Sequence, residues 1–190
     1  MVPAHITRQK NAVSRIAAVL PLLAASLVAV DAPAAASPLN LTCPKGVRHQ
    51  LDGLYRWQLQ RMAQPNSPAA GLASQSDRFT PELFNLLLKA RQLTPAQDGR
   101  YLDFDVFSNT QVRTFGAAVT GCSEAQGNSI QAAVDVQAGL RNPASGTPRR
   151  LVYQLKHDGA GQWHIADITY RNERVFQLKP YLETLLKPTP

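Results

Sequence analysis

The chain reads as an α+β domain, and three observations predict it. Helix-type apolar spacing fills the stretch before residue 95, and period-two alternation fills most of 111–171. Turn residues (Gly121, Gly127-Asn128, Asn142-Pro143 to Pro148, Gly159 to Gly161) separate the alternating runs. Helices first and antiparallel strands afterwards predict helices packed on one face of a sheet.

Each element has its own signal. In 45–62, Val47, Leu51, Leu54, Tyr55, Gln58, Leu59 and Met62 recur at helical spacing, with Trp57 off the main stripe. The stretch 64–71 is rich in Pro, Ser, Asn and Gly and predicts a loop. Thr80-Pro81-Glu82 combines an N-cap, a first-turn proline and an acid at the positive helix end. That second helix carries Leu83, Phe84, Leu87, Leu88 and Ala90 and should stop before Pro95. Residues 96–105 read as a loop, and Phe107 to Gln111 as a polar entry to the sheet. Strands are expected over 111–120, 129–138, 150–157 and 162–171, the last two as a hairpin about Gly159 to Gly161. Lys179-Pro180 opens a short final helix with Tyr181, Leu182, Leu185 and Leu186. Strict alternation in QWHIADITY puts Trp163, Ile165, Asp167 and Thr169 on one face, expected to point inward.

Of the 190 residues, the first 36 look like a secretory leader. Arg8, Lys10 and Arg15 precede an apolar run from Ile16 to Val30, followed by small residues spaced as a cleavage site at Ala34 and Ala36. The run is short for a membrane span and contains Pro21, so no stable span is expected after cleavage. Thr42 before Cys43 fits a lipoprotein site poorly. The expected organisation is a signal peptide over 1–36, a mature N-terminal segment over 37–44 and a single domain over 45–187, secreted or periplasmic.

The formal charge is +7, and losing Arg8, Lys10, Arg15 and Asp31 with the leader lowers it by two. The remaining basic residues are scattered along the sequence and do not alternate with aromatics, which argues against nucleic acid as a partner. Cys43 and Cys122 are an even pair, readily read as a disulfide in an exported chain.

Phe79-Thr80-Pro81-Glu82-Leu83, Asp105-Val106-Phe107-Ser108-Asn109-Thr110-Gln111 and Trp163-His164-Ile165-Ala166-Asp167-Ile168 together resemble the domain-of-unknown-function 3828 family. The likeness runs from about Leu51 to Tyr170. It implies the cystatin-like cone of the nuclear-transport-factor-2-like superfamily, a curved sheet wrapped around helices. That superfamily contains isomerases, dehydratases and non-enzymatic binding domains, and the family supplies no established activity to carry over. Cones of this kind also pair through the open sheet face, so a homodimer is compatible with the resemblance.

Chemistry-bearing residues are few. Asp167, on the expected inner face, is either a general base in a half-buried pocket or a structural group, paired with Arg56 or Arg61 or hydrogen-bonded at the strand's end. Tyr55, Tyr101 and Tyr170 can line a cleft or fill a core. Asn109 and Gln111 can bind a ligand or satisfy a strand start. Asp103 and Asp105 flank Phe104, and two acids fall short of a calcium site, so loop solvation is the expected role. His157 and His164 have no third ligand at metal spacing, and neither a metal nor a cofactor is expected. No nucleophile elbow, phosphate loop or dinucleotide fingerprint occurs. The expectation is therefore a non-catalytic binding or accessory module for a small molecule or a protein. An isomerase- or dehydratase-like enzyme using Asp167 is the alternative, and an inhibitor-like protein presenting loop 64–78 or 141–148 is a third reading.

Overall fold

The structure is a computed structural model and describes residues 42–95, 100–141 and 146–187. The leader and cleavage site expected from the sequence lie outside those residues. Ala36–Pro190 forms one compact unit. Its elements are helix α1 (Lys45–Ala63), two 3-10 turns (Pro68–Ala70 and Leu72–Arg78) and helix α2 (Pro81–Gln92). Strands β1 (Arg113–Ala125), β2 (Ser129–Gly139), β3 (Arg149–His157), β4 (Trp163–Tyr170) and β5 (Phe176–Gln177) follow, then helix α3 (Leu178–Leu185). The strands form one antiparallel sheet in the order β1-β2-β3-β4-β5, curved and unclosed, so the fold is α+β as the sequence predicts. No helix of the described residues is long and apolar enough to cross a membrane.

The local signals act as expected at α2. Thr80 accepts the Leu83 N–H at 3.4 Å, Pro81 takes the first helical position, and the exposed Glu82 pairs with Lys179 at the start of α3. In the β1–β2 turn Gly127 and Asn128 both adopt positive φ, the twist a tight hairpin needs. The two 3-10 turns within 64–78 and the two-residue β5 escaped the periodicity argument, because each is too short to show a period.

Ile130, Ala132, Val134 and Val136 of β2 and Leu151, Tyr153 and Leu155 of β3 share one apolar core with Leu51 and Leu54 of α1. The space inside the curved sheet is filled by side chains. Tyr55 donates to the Phe107 carbonyl at 2.9 Å and shares a 2.8 Å hydrogen bond with the Tyr153 hydroxyl, while Tyr170 donates to the Val106 carbonyl at 3.0 Å. Burial holds all three phenols above their ordinary titration range. Trp57, although off the main apolar stripe of α1, is 6% exposed. Its indole N–H reaches the Ala69 carbonyl at 2.8 Å and its ring meets Phe107 edge-on, so it pins the first 3-10 turn to the core. At Gly46 a β-carbon would sit 2.7 Å from the Trp163 ring, so glycine lets α1 approach β4 closely. Cys43 and Cys122 stand at disulfide distance, with α-carbons 5.1 Å apart, and tie the entry of α1 to the end of β1.

Inner-face parity in β4 differs from the expectation. The register slips between Gln154 and Leu155, whose partners are Asp167 and Ile165, and this leaves Ala166 as an extra residue. A bulge of this kind reverses the alternation beyond it. Ile165, Ile168 and Tyr170 therefore share the core, and Asp167 lies opposite Gln154 on the other face. The edge of β4 beside the bulge is covered by Phe79, and the Thr80 N–H donates to the Ile165 carbonyl at 2.9 Å.

Candidate functional site

The structural hub of the site is Asp105, in the loop joining α2 to β1. Its N–H donates to the Thr110 carbonyl at 2.8 Å, and its own carbonyl accepts from Ser108 and Asn109, closing a tight turn over 105–110. Asn109 takes the left-handed conformation that turn needs, at φ 53°, which asparagine tolerates. The Asp105 carboxylate accepts the Phe107 N–H at 2.9 Å, the Gln58 amide at 3.0 Å and the Arg61 guanidinium. Arg61 also donates to Gln58 at 2.7 Å and lies over the Trp57 ring. Asp105 is thus an anchored scaffold residue and not the solvated loop acid the sequence suggested.

Around this hub opens a cleft of about 1030 Å³ between the ends of α1 and α2 and the start of β1. Arg61 and Met62 come from α1, and Ala90, Arg91 and Leu93 come from α2 and its exit. The loop supplies Tyr101, Leu102, Asp103 and Phe104, and Thr110 to Arg113 close the far wall. Three guanidinium groups face two carboxylates, and one of each is already joined in the Arg61–Asp105 pair. Neither Arg91 nor Arg113 forms a close ion pair among the described residues, and Asp105 acts on Arg91 only through its longer-range charge. Arg113 lies over Phe115 with its guanidinium 5.8 Å from the ring centre. The Arg91 guanidinium is held below its ordinary value, first by the protein around it and then by Arg61, although the residue keeps an exposed surface. Apolar walls beside unpaired cations suit an anion with a hydrocarbon or aromatic body.

Of the residues singled out in the sequence, Tyr101 and Gln111 line this cleft. Tyr55 and Tyr170 are core residues with satisfied hydroxyls, and Asn109 serves the turn. Asp167 belongs elsewhere. Its Oδ1 accepts the Ile168 N–H at 2.8 Å and the Lys179 N–H at 2.9 Å, so it caps α3 from a neighbouring strand. Neither Arg56 nor Arg61 is its partner. Burial pushes its carboxyl above the ordinary value of 3.8, partly offset by those two N–H donors. With the folded value raised, the folded state holds its proton longer than the unfolded one, so Asp167 lowers stability as pH rises from about 4 through that raised value. Asp167→Asn keeps an acceptor for both N–H groups and loses the charge. Measured by urea denaturation, it should gain on the parent as pH rises from 4 to 7, whereas Asp167→Ala should lose about 1–2 kcal/mol. An Asp167→Asn curve parallel to the parent's would remove this role.

A second groove of about 610 Å³ runs along Phe79, Pro81 and Phe84, with His157, Asp158 and His164 at its rim. His164 is half-buried, with Nδ1 3.1 Å from the Asp77 carbonyl and Nε2 2.9 Å from Asp158. Strand alternation puts His164 on the face opposite Trp163 and so predicts a solvent-facing ring, and the observed position is more enclosed than that. The Gln162 N–H first, and then His164, hold the Asp158 carboxyl below its usual range. His157 stacks edge-on against Trp163. Among the described residues no three His, Cys, Asp or Glu side chains gather as metal ligands would.

The arginine cleft escaped the sequence reading because its cations come from three separate elements. One signal was available: Arg61 and Arg91 each sit in the last turn of a helix. That position is commonly read only as favourable to the helix dipole. Comparison with protein-family models, curated proteins and solved structures finds no match to this chain.

Proposed function

We propose that this chain is an exported, non-catalytic binding module of the nuclear-transport-factor-2-like type. Its ligand is a small organic anion held in the cleft between α1, α2 and β1. The observation that carries this reading is the pair Arg91 and Arg113, two unpaired guanidinium groups on the walls of a cleft whose third arginine is already neutralised. A carboxylate or phosphate would meet one or both, and Leu93, Leu102 and Phe104 would take its apolar part. The helix–helix–sheet order supports the family reading, and the leader pattern with the cysteine pair supports export.

A binding role fits better than a catalytic one. No histidine, serine or cysteine of the described residues lines the cleft, and Asp105 is held by three donors. Asp167, the base required by an isomerase-like reading, is occupied by backbone N–H groups. The test is calorimetric titration with benzoate, decanoate and inorganic phosphate. At least one should bind, and Arg91→Ala or Arg113→Ala should weaken it ten- to a hundredfold, the usual loss for a charge-assisted hydrogen bond. Melting temperatures should stay unchanged. Failure of all three probes to bind, or binding that survives both substitutions, would reject the cleft as the site.

A further inference from the structure

Antiparallel topology brings the end of β2, the start of β3, the end of β4 and the start of β5 to one end of the sheet. Arginines that are scattered in sequence gather there. Arg149 pairs with Glu173 at 2.8 Å and Arg150 with Asp135 at 3.0 Å. Arg141, Arg171 and Arg174 are exposed and have no acidic partner among the described residues. The same end carries Leu140, 88% exposed, and Val175, 71% exposed. These are two of the three large hydrophobic residues left open to solvent among those described.

The order along the chain is informative. Leu140 adjoins Arg141, and Val175 adjoins Arg174, so each exposed apolar side chain is flanked by an unpaired cation. Leu140 extends from β2 and Val175 leads into β5, three strand spacings apart, or roughly 14 Å. Backbone contacts hold the platform between them: the Arg171 N–H donates to the Arg150 carbonyl at 3.2 Å, and the Arg150 N–H to the Asn172 side chain at 2.8 Å.

We propose that this end of the sheet is a docking surface for a membrane bearing anionic phospholipid headgroups. Leu140 and Val175 enter the interface while Arg141, Arg171 and Arg174 take the phosphates. Guanidinium groups match phosphate oxygens in bidentate fashion, and exposed aliphatic side chains next to cations are what a headgroup boundary accepts. A nucleic acid fits less well, because neither Leu140-Arg141 nor Arg171 to Val175 offers an aromatic ring for stacking. Asp135 and Glu173 each already neutralise an arginine of their own, so they leave the three unpaired cations available. This surface is independent of the arginine cleft and uses none of its residues.

The test is vesicle flotation with the compact unit from Ala36 onward, using phosphatidylcholine vesicles with and without phosphatidylglycerol. Binding should require the anionic lipid and should weaken as potassium chloride screens the surface, a readout that needs no substitution. Arg141→Ala, Arg171→Ala and Arg174→Ala should each weaken binding about fivefold. Leu140→Ser with Val175→Ser should weaken it further while leaving the salt dependence in place. Equal binding to both vesicle types, or a triple arginine variant that floats like the parent, would overturn the proposal. So would tighter binding to heparin or duplex DNA than to anionic vesicles at the same salt, unaffected by the Leu140 and Val175 changes, because it would assign the surface to a soluble polyanion.

Discussion

Cys43→Ala with Cys122→Ala, or reduction of the pair, should lower the unfolding free energy by several kcal/mol. The two residues are 79 positions apart, and the loop-closure relation gives about 4.5 kcal/mol for a bridge of that span. Cys43 and Cys122 are 4% and 0% exposed, so alanine is the cleaner replacement, since serine would add a buried hydroxyl. The bridge also has a local task. Pro44 supplies no side-chain cap to α1, and no acid occupies the first turn, so the helix entry lacks the usual electrostatic support. Holding Cys43 against β1 positions that entry, and with it Val47 and Leu51 over the sheet. Urea denaturation with and without dithiothreitol measures the effect, and the melting point should fall on the order of 10 °C. Identical midpoints in the two conditions would mean that the pair does not bridge in solution.

How much of this molecule is legible in its sequence depends on the length scale of the signal. The Thr80-Pro81-Glu82 start, the apolar stripe of α1 and the alternation of β2 and β3 are all written within a few residues of the structure they specify. The fold class followed from their order. β4 shows where that reading fails. Alternation predicts faces only while every residue pairs, and one unpaired Ala166 moved Asp167 from the expected interior to the opposite face. Nothing in the stretch from His164 to Ile168 marks the bulge, and its nearest partner lies far off in sequence: Phe79 and Thr80 meet the open edge of β4 at Ile165. The two arginine sites failed for the same reason at longer range. Arg61, Arg91 and Arg113 meet only once the fold brings the ends of α1 and α2 and the start of β1 around one cleft, and Arg141, Arg171 and Arg174 share a sheet end only once the strands are ordered. The chain's charge is scattered in sequence and gathered by topology.

Asp105→Ala should be among the most damaging single substitutions outside the apolar core. Removing the carboxylate strips the Phe107 N–H, the Gln58 amide and the Arg61 guanidinium of an acceptor at one stroke. Gln58 is fully buried, so its amide would have no solvent to turn to. Arg61 and Asp105 keep 20% and 15% of their side-chain surface, which places the loss near the lower end of the range for a broken buried pair, about 3 kcal/mol. Asp105→Asn should lose less, since its carbonyl oxygen can still accept the Phe107 N–H while the Arg61 charge goes unanswered. A double-mutant cycle with Arg61→Ala isolates the pair, with an expected coupling of about 1–3 kcal/mol. The consequence extends to the cleft, because the 105–110 turn carries Thr110 and leads to Gln111 and Arg113 on its far wall. Asp105→Ala should therefore weaken anion binding as well as stability, whereas Arg113→Ala should weaken binding alone. A variant at Asp105 that unfolds at the parent's urea midpoint would show that the turn is held by its backbone bonds and the core beneath it.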